Sequence, residues 1–565
     1  MDSVNKLEIL FEKYEKIIPY IIIPIILIAF NLEAIFGLDS LLLDDQARYS
    51  SALQHNLPWL KWSNFEISAY FRYPFWMLLT LSPELARGLV VLVWLLPIAY
   101  LAYYLFNGMF GLPKTISIAA AILPMILPGQ TLIPAFIDGI YMLPGLLFLL
   151  ISIITGMKSI QSTSKSWILI FVSVVSFYIA IETTELVVFS VFPFILLMFY
   201  ISNFGKKLWV LIVPLILISG YRLVEVILYP RSASTPVDLT WEQIVTRLKI
   251  SIVYVNPFGI SNESFVGVLT IILVVLAIFL SVIWNRKKNN FVRLNTFNPI
   301  QNIIKPYPFL IIFSILWIVS LSFPFIFFSK YFPSRYLFFA GFGVSLIISL
   351  ALYSSFYSLF KKSRVILFVL FAVLIINSGV HRINALKKFF YPFNNYHAIF
   401  TKELSAYSFP LNSQIVITGR SALPTGGYWI WSSGMLQYIL KRKDITGIMP
   451  YEYQYYNPFN ENKGRTYNTK MTGLNLDFPI FFFKHQNTFK QYSYALQWLN
   501  EDLSESPWKL FLFDLKTGLP ISLAKGNGYQ DYLFILDSLK MNSVKQEEIM
   551  FGGEPSKKDS LRLKI

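Results

Sequence analysis

Several residues that can do chemistry stand close together in one short stretch, LLLDDQARYSSALQHNLPW at 41–59. Asp44 and Asp45 are adjacent, Arg48 and Tyr49 follow within about one helical turn, and His55 lies a little beyond. Adjacent carboxylates repel, so one of the two is expected to hold its proton more tightly than an isolated acid does. A carboxylate there can accept a proton from a hydroxyl nucleophile or bind a divalent ion. A plainer reading stands beside this one: acids in the first turn of a helix, where the helix dipole favours them. His55 is a candidate base or ligand, or simply a loop histidine.

Other acids and bases join this group by their place along the chain. Asp138 sits in PAFIDG, and Glu182 and Glu185 flank IETTE, both between apolar runs. Acids in turns this short are costly between apolar helices unless they meet water, a cation or a partner. Each of them alone marks no more than an interface; the group is harder to explain that way. The basic counterpart is KYFPSRYLFF at 330–339, with Lys330, Arg335 and Tyr336. A guanidinium suits a phosphate, because its planar fork binds two oxygens at once. An interfacial Arg/Tyr anchor is the other reading. Arg72 and Arg231 are weaker candidates of the same kind.

Some chemistries are excluded. With no Cys there is neither a disulfide framework nor a thiolate metal site. His381, His397 and His485 show no metal-ligand spacing. No phosphate-binding glycine loop, dinucleotide fingerprint or Gly-x-Ser-x-Gly elbow occurs. No cofactor is demanded by any motif; a divalent ion on Asp44 or Asp138 is the one option these acids leave open.

The elements that must position these residues are apolar helices. The 565 residues are 55% hydrophobic and 14% charged, against about 25% charged in an average soluble domain. Mean hydropathy is +0.55. Crossing the hydrocarbon core takes about 20 apolar residues. Eleven stretches are expected to do so: 17–36, 85–106, 111–128, 137–155, 166–181, 186–203, 208–228, 265–284, 307–328, 336–360 and 365–380. Pro124 and Pro128 weaken the third, and Arg222 and Glu225 the seventh. The spans drawn in this way carry no central charge.

The net charge of +16 is sorted along the chain in a way that speaks for a membrane rather than a nucleic acid. Lys114, Lys158, Lys165, Lys206, Lys207, Arg286, Lys287, Lys288, Arg293, Lys305, Lys361, Lys362 and Arg364 fall in alternate connections. The other connections hold Asp44, Asp45, Glu66, Asp138, Glu182, Glu185, Asp238 and Glu263. This predicts a cytoplasmic N-terminus and a C-terminal part on the outer face, in a plasma or bacterial inner membrane.

Residues 1–380 then form the membrane domain, with a first outer loop at 38–84, and 381–565 form an extracytoplasmic soluble domain. That domain reads as α/β or α+β. Strands are expected at 411–419 and in ITGIMP, a helix over 434–444, a hairpin over 508–524 turning at Lys516-Thr517-Gly518, and a last helix over 529–541.

The run DDQARYSSALQHN after the first span resembles the Asp-Glu-x-Arg-Tyr start of the first outer loop in GT-C glycosyltransferases. These polytopic enzymes use polyprenyl-phosphate sugars and include the aminoarabinose transferases, the protein O-mannosyltransferases and the oligosaccharyltransferases. Asp138, the acidic turn of Glu182 and Glu185, the Arg335-Tyr336 pair and the outer C-terminal domain are similar in layout. The family's His-Pro-Pro or Pro-Pro-Leu segment has only AYFRYPFWMLL as its counterpart, with one Pro. The absence of a WWDYG-like motif argues against transfer to Asn.

The resemblance implies an inverting sugar transfer from a polyprenyl-phosphate donor to a glycan, lipid or protein hydroxyl. Asp44 or Asp45 would be the base. Arg335, with Arg48, would hold the leaving phosphate, and Asp138 and Glu185 would orient the sugar or acceptor. Tyr49, His55, Arg72, Glu182, Lys330 and Tyr336 complete the expected donor and substrate contacts. Membrane lipids are partners on this reading, and nucleic acid is not. A transporter or a scaffold subunit of a polysaccharide system is the alternative.

Overall fold

The computed structural model describes residues 17–39, 41–42, 44–53, 66–130, 132–162, 166–202, 205–228, 240–254, 307–328, 337–359, 364–404, 409, 411–412, 414–418, 432–448, 480–484, 492–498, 507–514 and 520–527. The chain divides into two compact units: Met1–Leu38 with Pro58–Tyr391, and Asp39–Leu57 with Pro392–Ile565.

The first unit is helical. Among the described residues it contains α1 (Ile18–Phe36), α3 (Glu66–Leu81), α4 (Pro83–Met109), α5 (Lys114–Ile122), α6 (Met142–Gln161), α7 (Ser166–Thr183) and α8 (Val191–Ile201). It continues with α9 (Lys206–Leu228), α10 (Trp241–Tyr254), α11 (Tyr307–Phe328), α12 (Phe338–Leu359) and most of α13 (Arg364–Leu404). Among the described residues, six helical stretches are long and apolar enough to cross a membrane: Ile18–Phe36, Pro83–Met109, Gly139–Gln161, Ser166–Thr183, Lys206–Glu225 and Phe368–Phe390. Four more qualify by composition over shorter lengths: Lys114–Met125, Leu186–Ile201, Phe309–Phe323 and Phe338–Tyr353. The eighth expected span, 265–284, lies outside the described residues.

These helices are apolar all round. On α1, Ile23, Leu27, Asn31, Ala34 and Ile35 are buried at helical spacing, yet the opposite face shows Ile21, Ile25, Ile28, Leu32 and Phe36. The same pattern recurs with Trp167, Ile168 and Phe171 on α7 and with Trp209, Val213, Ile216 and Leu217 on α9. A helix with no polar face belongs in hydrocarbon, so the chain is a helical membrane protein.

Helix approach rests on small residues, as apolar burial cannot drive association in lipid. Along the α6–α7 hairpin, Ser152 Oγ donates to the Ser173 carbonyl at 2.8 Å, and Ser173 Oγ returns the bond to Ser152 O at 2.8 Å. A Cβ on Gly145 would meet Thr184 Cγ2 at 2.5 Å, so only glycine allows this contact. On α12, a Cβ on Gly343 would lie 2.8 Å from the Ser314 carbonyl of α11. Trp317 Nε1 donates to Phe339 O across the same pair at 2.8 Å.

The third expected span is shortened. The α-helix ends at Ile122, and Pro124 falls in a 3-10 turn, Leu123–Met125, that closes it. Proline lacks the N–H and crowds the preceding turn, which ends a helix. An irregular but buried stretch follows, including Ile126, Leu127, Gln130, Ile133, Ala135, Phe136 and Ile137, with a cis Ile133–Pro134 peptide. A second 3-10 turn, Asp138–Tyr141, then leads into α6.

The last span is lengthened. Helix α13 runs unbroken for 41 residues, or about 60 Å at 1.5 Å per residue. The expected boundary at 380/381 falls inside it, and the division into units lies at Tyr391/Pro392.

The second unit contains α2 (Asp44–Leu53), the end of α13, β1 (Gln414–Thr418), α14 (Ser432–Leu440), β2 (Thr446–Ile448), β3 (Ile480–Lys484), β4 (Tyr492–Trp498), β5 (Pro507–Asp514) and β6 (Pro520–Asn527). Strand β1 pairs in parallel with β2 and β3. Strands β4, β5 and β6 form an antiparallel sheet, with β5 central. The β5–β6 hairpin lies where 508–524 predicts one, whereas β3 and β4 are strands the sequence reading missed. The helix expected over 529–541 lies outside the described residues.

Candidate functional site

The first-loop motif forms the helix α2. Asp45 N donates to Leu42 O at 2.8 Å in the turn that opens it. Neighbours on a helix project about 100° apart, so Asp44 and Asp45 share a helical turn but not a direction. Asp45 and Tyr49 are four apart and therefore share a face. Asp45 is 0% exposed and Tyr49 3%. The Tyr49 ring meets Tyr438 of α14 edge-on, with centroids 5.5 Å apart. Burial pushes the Tyr49 phenol pKa above its ordinary value. This is the environment of an anchoring ring. Arg48 is half-buried on the same helix, and Asp44 is its first residue.

Tyr438 gathers further groups that the sequence reading left scattered. The imidazole of His397 lies 5.7 Å from its ring, and Lys441 Nζ lies 4.0 Å from it. Burial lowers the His397 pKa; Asp39 opposes that shift and Lys441 adds to it. Asn394 Oδ1 accepts from the Asp39 N–H at 2.9 Å.

Helix α14 ends tightly. Lys441 has φ 54°, and Arg442 N donates back to Gln437 O at 3.2 Å, a left-handed helix cap. Arg442 Nε then donates to Asp444 Oδ1 at 3.0 Å, and Asp444 Oδ2 accepts from Asn412 N at 2.8 Å. The Arg442 hydrogen bond is the main cause that holds the Asp444 carboxyl down at about 2.

In the first unit, Arg72 lies beside the turn that Asp138 opens. Arg72 of α3 folds back on its own helix, with Nη2 donating to Ser68 Oγ at 3.1 Å and Nε to Ser68 O at 3.3 Å. Its guanidinium carbon lies 5.0 Å from the Trp76 ring and 5.6 Å from the Tyr141 ring. Tyr141 closes the 3-10 turn that Asp138 opens, so Arg72 and the Asp138 turn are neighbours.

Glu182 and Glu185 take separate roles. Glu182 lies 4.0 Å from the buried Arg222 guanidinium, which also pairs with Glu225 one turn along α9. That ion pair explains how α9 carries Arg222 and Glu225 in an apolar setting. Glu185 opens the 3-10 turn Glu185–Ser190, whose cap is Thr184 accepting from Leu186 N at 3.4 Å. An acid suits that end of a helical turn. His55, Lys330, Arg335, Tyr336 and Arg231 lie outside the described residues. Among the described residues, no group of three or more His, Asp or Glu could hold a metal ion.

Two fully buried arginines were missed. Arg87 donates to Leu38 O at 2.8 Å and to Ile35 O at 3.4 Å, closing the carboxyl end of α1 with a positive charge. Arg382 of α13 is 0% exposed and lies within the stretch Phe368–Phe390, beyond the span end drawn at 380. It donates to Asn31 Oδ1 at 2.8 Å, Phe30 O at 3.1 Å, Gln130 O at 3.5 Å and also Ile133 O. The usable signal was Asn31, a buried amide that together with Glu33 interrupts the apolar run of the first helix and calls for a donor elsewhere. No model of a known protein family matches the chain, and no curated protein matches it significantly.

Proposed function

We propose that the chain is a membrane glycosyltransferase of the GT-C type, moving a sugar from a polyprenyl-phosphate donor to a hydroxyl acceptor on the outer face. The observation that carries this reading is helix α2, which opens on Asp44-Asp45 directly after the first apolar helix and turns Asp45 inward with Tyr49. On this reading Asp44, the first residue of that helix, is the base. Asp44 takes the acceptor's proton as the acceptor oxygen attacks the anomeric carbon from the face opposite the phosphate. The bond from that carbon to the phosphate oxygen breaks, and the polyprenyl phosphate leaves with the electron pair. The resemblance gives Arg335, with Arg48, the neutralising of the leaving phosphate. The resemblance gives Asp138 the part of a sugar-orienting acid.

A lipid-borne donor fits an enzyme embedded among apolar helices, since neither the tail nor the charged head has to leave its own phase. The strands β1–β6 fall within residues 392–565, which on this reading belong to the soluble domain.

The test is transfer of labelled sugar from a polyprenyl-phosphate donor by full-length protein in vesicles. Asp44→Asn should lower kcat by about 10²–10⁴-fold, the range for losing a general base. Transfer retained within a few-fold would sink the assignment.

One observation favours a second reading. Arg382 is a buried charge beside an interrupted helix, which is also how transporters build midplane sites. Uptake of an anionic solute by vesicles, abolished by Arg382→Met and untouched by Asp44→Asn, would favour transport.

A further inference from the structure

Buried backbone must find hydrogen-bond partners, most of all at membrane depth. The stretch between α5 and α6 is not helical, so its carbonyls lack the regular ladder of partners that a helix supplies. Its internal bonds are isolated turns, such as Gln130 N to Leu127 O at 2.9 Å and Phe136 N to Leu132 O at 2.8 Å. The missing donors come from one face of α13. Ser378 Oγ donates to Ile126 O at 3.1 Å, and Arg382, one turn on, donates to Gln130 O at 3.5 Å and to Ile133 O.

The other half of the Arg382 fork is spent on α1, at Phe30 O and Asn31 Oδ1. Between these residues Gly379 lets the helices close: a Cβ there would meet the Phe30 ring at 2.3 Å. The guanidinium therefore joins three pieces of chain, and one of them runs directly into the Asp138–Tyr141 turn against which Arg72 packs.

We propose that Arg382 is a positioning residue: by holding the carbonyls of Gln130 and Ile133 it fixes the direction in which the Asp138 turn faces the substrate. The functional half of this proposal rests on the transferase reading above; the clamp itself does not. A planar fork with five donors can serve several carbonyls at once, which a lysine ammonium cannot do in one geometry. A shift of about 1 Å at a substrate-orienting turn is enough to cost about a hundredfold in rate.

The chain contains no cysteine, so a single thiol reports without a background. In full-length Asp138→Cys in vesicles, maleimide labelling reads how tightly the turn is held. Adding Arg382→Met should raise the labelling rate about tenfold or more, because charge-assisted bonds that keep the segment closed are lost. Lys387→Met should leave the rate unchanged, because Lys387 meets Glu33 across the same α1–α13 pair, at 3.9 Å, without touching the segment. An unchanged rate in Arg382→Met, or an equal rise in Lys387→Met, overturns the clamp. If Arg382→Met does not fold, Arg382→Lys and Ser378→Ala take its place under the same criteria.

With Asp138 restored, Arg382→Lys should lower kcat by about tenfold or more while donor KM and unfolding temperature stay put. A purely structural role would lower the folded fraction and leave kcat per folded molecule intact, and that result overturns positioning. A wild-type chain with no transfer from any polyprenyl-phosphate sugar sinks the transferase reading, and the labelling rates still decide the clamp.

Discussion

Tyr49 and Asp44 belong to one motif, yet they call for different tests. The Tyr49 ring is packed edge-on against Tyr438 and is 3% exposed. Tyr49→Phe should therefore keep transfer and cost under about 1 kcal/mol, whereas Tyr49→Ala should cost about 3–5 kcal/mol by leaving a hole for an aromatic ring. Denaturant unfolding followed by Trp fluorescence measures both, and a large loss of transfer in Tyr49→Phe would return the hydroxyl to the list of donor contacts. Asp444 carries the pH dependence of the same unit. Its folded pKa of about 2 lies below the usual carboxylate value of 3.8. An acid with a depressed folded pKa stabilises fully above its unfolded pKa and loses that contribution as pH falls through the folded one. Acid destabilisation between about pH 4 and 2 should thus be shallower in Asp444→Asn than in the parent. His397, whose pKa burial lowers, acts in the same direction at higher pH: stability falls as pH drops below about 6.5.

At the scale of elements, the glycines separate two kinds of position. Gly88 in α4 has no atom within 4 Å of an added Cβ, so Gly88→Ala should stabilise by about 0.5–1 kcal/mol through lost backbone freedom alone. Gly343 faces a backbone carbonyl at 2.8 Å, and Gly343→Val should cost about 1–3 kcal/mol by forcing α11 and α12 apart. Thermal unfolding in one detergent compares them, and equal effects would contradict the close approach.

Hydropathy made the long helices legible, because a stretch apolar on every face has few alternatives. It could not show the break after Ile122 as a buried segment, since the residues there, such as Leu127, Ile133 and Phe136, are as apolar as a span. Arg382 was hidden for the opposite reason: one charge ends a hydropathy window, although four acceptors from α1 and the segment around Gln130 meet its two Nη groups in the fold. Pairings such as Tyr49 with Tyr438, or Arg72 with Tyr141, join distant parts of the chain, and no local period encodes them.

The two ends of α7 have different charged neighbours. Near its start, Lys207 Nζ donates to Ser162 O at 2.8 Å, and Lys158 Nζ lies 4.8 Å from the Tyr104 ring. At its other end stand Glu182, Arg222 and Glu225. The helix has 18 residues, about 27 Å at 1.5 Å per residue, close to the roughly 30 Å of a hydrocarbon core. A helix of that length and composition is able to cross, and the charge pattern then expects the lysine end inside. In the cysteine-free chain, Ser162→Cys should resist an impermeant maleimide added outside sealed cells, and Glu185→Cys should react. Nucleotide sugars are made on the cytoplasmic side, so on the proposed transferase reading an acid rim reached from outside calls for a donor that crosses on a lipid. Reaction of Ser162→Cys from outside, with Glu185→Cys protected, would turn the acidic rim to the cytoplasm. It would also remove the reason for a polyprenyl-phosphate donor.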